Sequence, residues 1–381
     1  MPLGYLAVMI ATTTLIVGSL YAAGHALFSG VEYHKLAAVQ NGVAATSTTT
    51  GEMAPIVWPL ELDREEYNAR LLDLVDYVPP VRATTSTSTP LVSDLVFASS
   101  SNVTVRGKRW PPENLYPHGG AILPFERIVA YYGNFYSRFM GILGEFDRQT
   151  VLNRLASTTA AWEAADPDTP VVPAIHYIAM VAQADAGEDG MYRAVMPADQ
   201  IELAYDMAQE IDGILFLDLQ VGLSTIQREL PQFREYFTRP DVHLGIDPEF
   251  AMAPSGRAPA TVIGTYDAKD INFAINWLSE IVREHQLPPK VLVVHRFTQN
   301  MVTNYQDIQP TPEVQVVIHM DGWGSKELKL GTYTRVIEPE PVQFVGLKIF
   351  YKNDLKPPST GIYTPAEALR LHPEPVYIQY Q

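Results

Sequence analysis

The 381 residues carry 27 Lys and Arg against 43 Asp and Glu, a formal net charge of −16 at pH 7. That balance argues against nucleic acid, which needs a basic face for its phosphates, and disfavours adhesion to anionic lipid. The chain has no cysteine, which removes disulfides, thiolate metal sites, cysteine nucleophiles and a lipidated N-terminal Cys together.

Length alone would suggest two or three domains, but the two ends differ in composition. Leu3 to Ala22, LGYLAVMIATTTLIVGSLYA, is uncharged and as long as a bilayer-spanning helix requires. Met1-Pro2 before it offers no Lys or Arg, so it lacks the usual n-region of a signal peptide, although AAG and GHA downstream are small-residue cleavage sites. We read residues 1–30 as an uncleaved membrane anchor, with a cleaved signal or a buried core helix as the alternatives. The Lys/Arg bias that sets orientation is nearly absent. An extracytoplasmic location in the cell envelope, or secretion if the segment is cleaved, is expected because a stalk-like stretch follows.

Residues 31–104 read as a linker. Its Ser/Thr-rich tracts, ATSTTTGE within 37–55 and RATTSTSTP and ASSSNVT within 83–104, lack the apolar mass to fold alone. Between them LDREEYNARLLDLVDYV (61–77) predicts one amphipathic helix with Asp63 as its N-cap, packed on the domain that follows.

Residues 105–381 read as one α/β domain. Eight apolar, β-rich runs occur at 127–133, 171–179, 213–220, 242–250, 290–297, 314–322, 345–354 and 375–381. Near-continuous Val/Ile/Leu runs are what strands buried on both faces look like. Helical patterns intervene at 147–165, 197–211, 224–238 and 267–285. Alternating strands and helices imply right-handed βαβ units, and eight of them predict a (β/α)8 TIM barrel, whose usual size is about 250 residues. A doubly wound open sheet is the alternative, disfavoured because YYGNFYSRFMG after the first run lacks the GxGxxG order. The chain stops after the eighth run, so the 61–77 helix or the 105–125 segment is expected to cover the barrel wall where an eighth helix would lie.

Parallel barrels place their sites at the C-terminal ends of the strands. In chain order those ends offer Tyr131, Tyr132 and Glu145, then His176, Asp218, Gln220, Asp247 and Glu249. His295, Arg296, His319, Asp321, Lys348, Asp354 and Gln379 follow from the later strands. Strand alternation puts Asp218 with Gln220, Asp247 with Glu249, and His319 with Asp321 on shared faces. Charged groups are rarely buried unless paired or useful, so their convergence predicts a site. Two carboxylates across a cleft suffice for glycoside hydrolysis. Glu249 is the expected acid, its pKa raised by neighbouring Asp247, with Asp218, Asp247 or Asp321 as partner. Tyr131, Tyr132, Phe250, Trp323 and Tyr351 could stack on sugar rings. The remaining polar groups are expected to bind substrate.

No cofactor is expected, although His176, Asp218, Asp247, Glu249, His295, His319 and Asp321 could hold one or two divalent metals. A metal-dependent phosphoester or amide hydrolase, with Lys348 or Arg296 facing an anion, is thus the first alternative. The chain has no HExxH or HxH spacing and no GxSxG elbow. A non-catalytic surface binding module is the second alternative.

YYGN, MGILGE, DLQVG, IDPEF, VVHRF, IHMDG, GLKIFYKND and YIQYQ, in that order over residues 125–381, resemble an uncharacterised family of bacterial exported or cell-wall-associated barrels. That family has actinobacterial lipoprotein relatives and is described as glycoside-hydrolase-like. The resemblance implies that Glu145, Asp218, Gln220, Asp247, Glu249, His295, Asp321 and Lys348 occupy the family's motif positions. It implies departures too: His176 stands where the family has an acid, and no lipobox Cys exists. Lys348 also stands where the glycosidase clan pairing acids on strands four and seven has its nucleophile, which disfavours a retaining mechanism of that design.

Overall fold

The computed structural model describes residues 58–75 and 110–381. The expected anchor and both Ser/Thr-rich tracts lie outside the described residues. Among the described residues no helix is long and apolar enough to cross a membrane.

Eight strands form the centre: β1 (Arg127–Gly133), β2 (Val171–Ala182), β3 (Ile214–Leu219), β4 (Val242–Ile246), β5 (Lys290–Arg296), β6 (Val314–Met320), β7 (Phe344–Ile349) and β8 (Tyr377–Tyr380). Each pairs in parallel with the next, and β8 pairs in parallel with β1 through Ile128–Tyr377 to Tyr131–Tyr380, which closes the sheet into a barrel. The open-sheet alternative is thereby ruled out. Strand Arg193–Val195 extends β2 as an antiparallel hairpin, and Tyr266–Asp267 pairs with Val302–Thr303 above the barrel wall.

The principal helices are α1 (Arg64–Asp73), α2 (Arg148–Ala165), α3 (Ala198–Gln209), α4 (Ala268–His285) and α5 (Lys326–Thr332). Their starts follow from capping chemistry. Asp63 accepts the Glu66 N–H at 2.9 Å and Asp147 that of Thr150 at 3.0 Å, while Asp267 and Asp270 form a reciprocal capping box on α4. The helix expected over 224–238 is instead three short turns, Ile226–Glu229, Leu230–Phe233 and Arg234–Phe237. Pro231 lacks the N–H an α-helical ladder needs there, and the chain tightens into a 3-10 turn around it.

Two apolar clusters divide the core. The larger joins the outer faces of the strands to the helices through residues such as Leu155, Trp162, Ile201, Ile275 and Leu278. The smaller fills the lower barrel interior with Ile128, Ala130, Ala174, Ile214, Phe216, Val291, Val293, Val317 and Phe344. Tyr67 of α1 and Leu123 belong to this interior cluster. Gln315 at the start of β6 fixes Leu123, accepting its N–H at 3.1 Å and donating to its carbonyl at 2.5 Å. The described parts of the two segments, 61–75 and 110–125, therefore close the barrel's N-terminal end as a floor, not the gap in its wall where one of them was expected. Trp162 of α2 reaches across that gap and donates to the Tyr380 hydroxyl at 3.0 Å.

Candidate active site

Above the apolar floor the inward positions turn polar. Tyr132, His176, Asp218, His295, His319, Lys348, Tyr377 and Gln379, one from each strand except that β4 gives none and β8 gives two, are all buried. Contacts across the barrel show that they share its interior. The His176 ring lies edge-on to His295 with centroids 5.7 Å apart, and His319 to Tyr377 at 5.0 Å. On β4 the corresponding position is Gly245, paired with Asp218. A Cβ there would lie 2.5 Å from His176 Nε2 and 2.9 Å from Asp218 Oδ1, so only glycine leaves room for these side chains.

His295 is the hub. Its Nδ1 is 2.8 Å from Asp321 Oδ2, and its Nε2 is 3.4 Å from Asp218 Oδ2. His176 Nε2 approaches the same Asp218 oxygen at 3.6 Å, while its Nδ1 bonds the Tyr377 hydroxyl at 2.5 Å. Gln379 donates to that hydroxyl at 2.9 Å. Burial works against the His295 charge, yet the two carboxylates outweigh it and lift its pKa to about 10. Burial dominates at His176 and pushes it down to about 4. Asp218 is also desolvated, but the two imidazoles hold its carboxyl well below the usual range.

Asp247, Glu249 and Asp321 form the upper tier. Ligand-competent oxygens of Asp247 and Asp321 lie within 4.8 Å of each other and of a His295 nitrogen. Asp247 also accepts the Glu249 N–H at 3.0 Å, fixing the turn that follows β4. Burial opposes ionisation of Asp321, but Lys348, with Nζ 3.1 Å from its Oδ1, and His295 keep its pKa lowered. Burial lifts Asp247 to about 7, aided by the charges of Asp218 and Asp321. Glu249, half-buried, is lifted to about 8 by burial and then by the Asp247 charge. The tier thus holds acids whose environments push their pKa values apart, the pattern of an acid and its ionised partner. Lys348 Nζ also lies 3.9 Å from the centroid of the Tyr132 ring, a cation–π contact.

Gln220 joins the group from below the rim, donating to Tyr132 at 3.4 Å and accepting the Ala182 N–H at 3.1 Å. Other expected site residues are not brought in. Tyr131 faces outward, where its hydroxyl meets Thr158 at 2.7 Å and Tyr351 at 3.2 Å. Arg296 also faces outward; its guanidinium binds the carbonyls of Thr298, Gln299 and Val302 and the Glu340 carboxylate, holding the loop after β5. Glu145 stands at the rim in an ion pair with Lys352 at 2.6 Å. Trp323 and Phe250 are half-buried at the rim, and Lys356 covers the Trp323 ring at 5.1 Å.

Three residues were missed. Tyr377 was detectable, since it lies two positions before Gln379 and so shares its face. Lys329 has no sequence signal: its buried ammonium binds the carbonyls of Gly322 and Lys348 at 2.6 and 2.7 Å and Asp354 at 3.1 Å, tying the loops after β6 and β7 together. Tyr266, from the loop after β4, buries its hydroxyl without a hydrogen-bond partner; burial raises its pKa, and the charges of Asp270, Asp247 and Asp218 add to it.

No protein-family model matches the chain, and no curated protein sequence does so. Among solved structures it is similar to the Bacillus subtilis mannanase man26, at 11% identity and a TM-score of 0.36, over 67% of this chain and 79% of that one. It is similar to a hyperthermophilic endo-β-1,4-glucanase in complex with substrate at 7% identity and a TM-score of 0.30, over 55% of this chain and 77% of that one. It is also similar to Plasmodium falciparum HPPK-DHPS with pteroate at 8% identity and a TM-score of 0.31, over 67% of this chain and 44% of that one. Likeness at this level selects no chemistry. The chain is a closed parallel (β/α)8 barrel on the evidence of its own strand pairing.

Proposed function

We propose that the protein is a glycan hydrolase, exported and held at the cell envelope by its N-terminal segment, acting on a polysaccharide of the envelope or its surroundings. Glu249 is the general acid and Asp321 its ionised partner. The charge geometry of the mouth carries this assignment: Lys348 Nζ, 3.1 Å from Asp321 Oδ1, and His295 Nδ1, 2.8 Å from its Oδ2, hold Asp321 ionised, while burial and the nearby Asp247 carboxylate push Glu249 up to about 8. A glycosidase needs that asymmetry, one carboxyl to protonate the leaving oxygen and one carboxylate to face the developing positive charge or activate water. Asp218, at 0% exposure beneath the histidines, is too deep for the partner role. Asp247, in the same tier, supplies charge that raises Glu249.

The rim offers apolar surface of the kind sugar faces stack against. Tyr136 and Phe139, in the loop after β1, are each 50% exposed, and Trp323 stands after β6. The resemblance to exported, cell-wall-associated barrels supports the location. The test is a reducing-end assay of the purified chain on soluble and cell-wall polysaccharides, with Glu249→Gln and Asp321→Asn alongside. Turnover that falls about 10²–10⁴-fold in Glu249→Gln is expected for loss of a general acid. Hydrolysis unaffected by either change would remove both residues from the chemistry, and a complete lack of turnover across the panel would overturn the glycan assignment.

A further inference from the structure

Below the carboxylate tier lies a set of polar atoms to which the proposed hydrolysis assigns no proton transfer. His176 Nε2, Asp218 Oδ1 and Oδ2, and His295 Nε2 are all buried and none completes a hydrogen bond, although Asp218 Oδ2 stands 3.4 and 3.6 Å from the His295 and His176 nitrogens. Buried polar atoms left unmatched cost free energy, so a cluster of them needs an explanation. Here they converge: one donor atom from each residue lies within 4.8 Å of the other two. We propose that His176, Asp218 and His295 form a divalent transition-metal site, zinc by its donor set, buried in the barrel interior.

The geometry fits such an ion. Metal–ligand bonds of about 2.0–2.1 Å in a tetrahedral site place neighbouring ligand atoms roughly 3.3–3.4 Å apart. The Asp218 oxygen lies 3.4 Å from His295 Nε2 and 3.6 Å from His176 Nε2. Ligating imidazoles commonly have the opposite ring nitrogen held by a carboxylate or other polar group, which fixes ring orientation. Both do here: His295 Nδ1 meets Asp321 at 2.8 Å and His176 Nδ1 meets the Tyr377 hydroxyl at 2.5 Å. Two imidazoles and one carboxylate suit zinc better than the all-oxygen shells of magnesium or calcium. Gly245 keeps the facing strand bare, since a Cβ would lie 2.5 Å from the His176 donor nitrogen and 2.9 Å from Asp218 Oδ1. His319, edge-on to His295 at 5.2 Å between centroids, adds an imidazole with neither nitrogen committed.

A second trio, Asp247, His295 and Asp321, also brings donor atoms within 4.8 Å. It is the poorer site, because His295 Nδ1 is already bonded to the Asp321 carboxylate, which also accepts from Lys348. All three residues of the proposed site are 0% exposed. Binding would displace the Nε2 proton that His295 carries in the metal-free protein; the buried ion would not meet substrate, and it would orient His295 and, through it, Asp321. The inference does not depend on the glycan assignment, because binding is read without substrate.

The experiment strips the purified full chain with chelator, reloads it with zinc or cobalt(II), and measures bound metal and thermal stability. One zinc per chain is expected, with a higher Tm than the stripped protein and intense tetrahedral d–d bands for the cobalt form. His176→Ala and Asp218→Asn should lose the metal, while Asp247→Asn and Glu249→Gln should keep it. Wild-type protein that binds no stoichiometric zinc after loading would overturn the site, as would metal retained in both ligand variants. Loss of metal in Asp247→Asn with retention in His176→Ala would move it to the upper trio, against the proposal. If the ligand variants fail to fold, the wild-type cobalt spectrum decides: weak octahedral bands refute the site and tetrahedral ones support it.

Discussion

Lys348 reaches both oxygens of Asp321, with its Nζ 3.1 Å from Oδ1 and 3.3 Å from Oδ2. The two side chains come from the ends of neighbouring strands, and both are nearly inaccessible, at 3% and 9% exposure. A buried ion pair broken on one side leaves the other charge uncompensated, at a cost of about 3–5 kcal/mol. Lys348→Met should therefore lower stability by that order and let the Asp321 pKa rise. A group with a depressed folded pKa contributes stability above its unfolded value and loses it as pH falls through the folded one. In Lys348→Met that acid loss should begin at higher pH. Denaturant unfolding between pH 3 and 7 measures it, and superimposable pH–stability curves for the two proteins would contradict the pairing.

Glu249 titrates in the opposite sense. Its folded pKa of about 8 lies above the ordinary value of 4.5, so the folded state holds a proton that the unfolded state gives up earlier. Stability linked to this group is thus present below about pH 4.5 and declines as pH rises toward 8. Turnover that needs the protonated acid should fall on the alkaline side through the same value. Glu249→Gln should erase this alkaline limb along with most activity. A limb that persists unchanged in the variant would assign it to another group.

The barrel was legible because its strands are buried on both faces and so read as unbroken Val/Ile/Leu runs, as in KVLVVHR of β5 and VQVVIHM of β6. The polar interior was legible where the two-residue alternation carried through a strand end, as for Asp218 with Gln220 and His319 with Asp321; it does not apply to Asp247 with Glu249, because β4 ends at Ile246 and Glu249 lies in the 3-10 turn Pro248–Phe250. Without it, both members of an adjacent pair look like site residues. Tyr131 and Arg296 were included beside Tyr132 and His295, though consecutive strand residues point to opposite faces. The floor was not legible, since docking Tyr67 and Leu123 into the lower barrel depends on tertiary contacts that helical periodicity does not report. Nor was the Lys329–Asp354 pair, which joins two loops whose approach the sequence does not announce.

Gly245 tests the crowding of the interior layer directly. An added Cβ would stand 2.5 Å from His176 Nε2 and 2.9 Å from Asp218 Oδ1, and both side chains are locked by neighbours on other strands. Gly245→Ala should destabilise by about 1–3 kcal/mol, the usual cost of overpacking. Gly256, by contrast, has no atom within 4 Å of the corresponding position. Substitution there should not produce this clash, whatever its backbone cost at φ +62°. A Gly245→Ala protein as stable as wild type in urea would mean that the layer can relax and is not the close-packed set described.

The floor should matter for stability and not for chemistry. Leu123 is 0% exposed, with its backbone N–H and carbonyl both held by Gln315, and it sits at the opposite end of the barrel from Glu249 and Asp321. Leu123→Ala removes buried methyl groups at a site pinned by its own backbone, so the cavity cannot easily collapse, and the loss should be about 2–5 kcal/mol. At a temperature where the variant remains folded, kcat and KM should match the wild type. Deleting the segment that carries Tyr67 should act in the same direction, because it uncovers the same interior cluster. If Leu123→Ala instead changed kcat at full occupancy of the folded state, the floor would have to communicate with the mouth through the interior stack of Phe216, Tyr377 and His176, whose rings lie 5.1 to 6.1 Å apart.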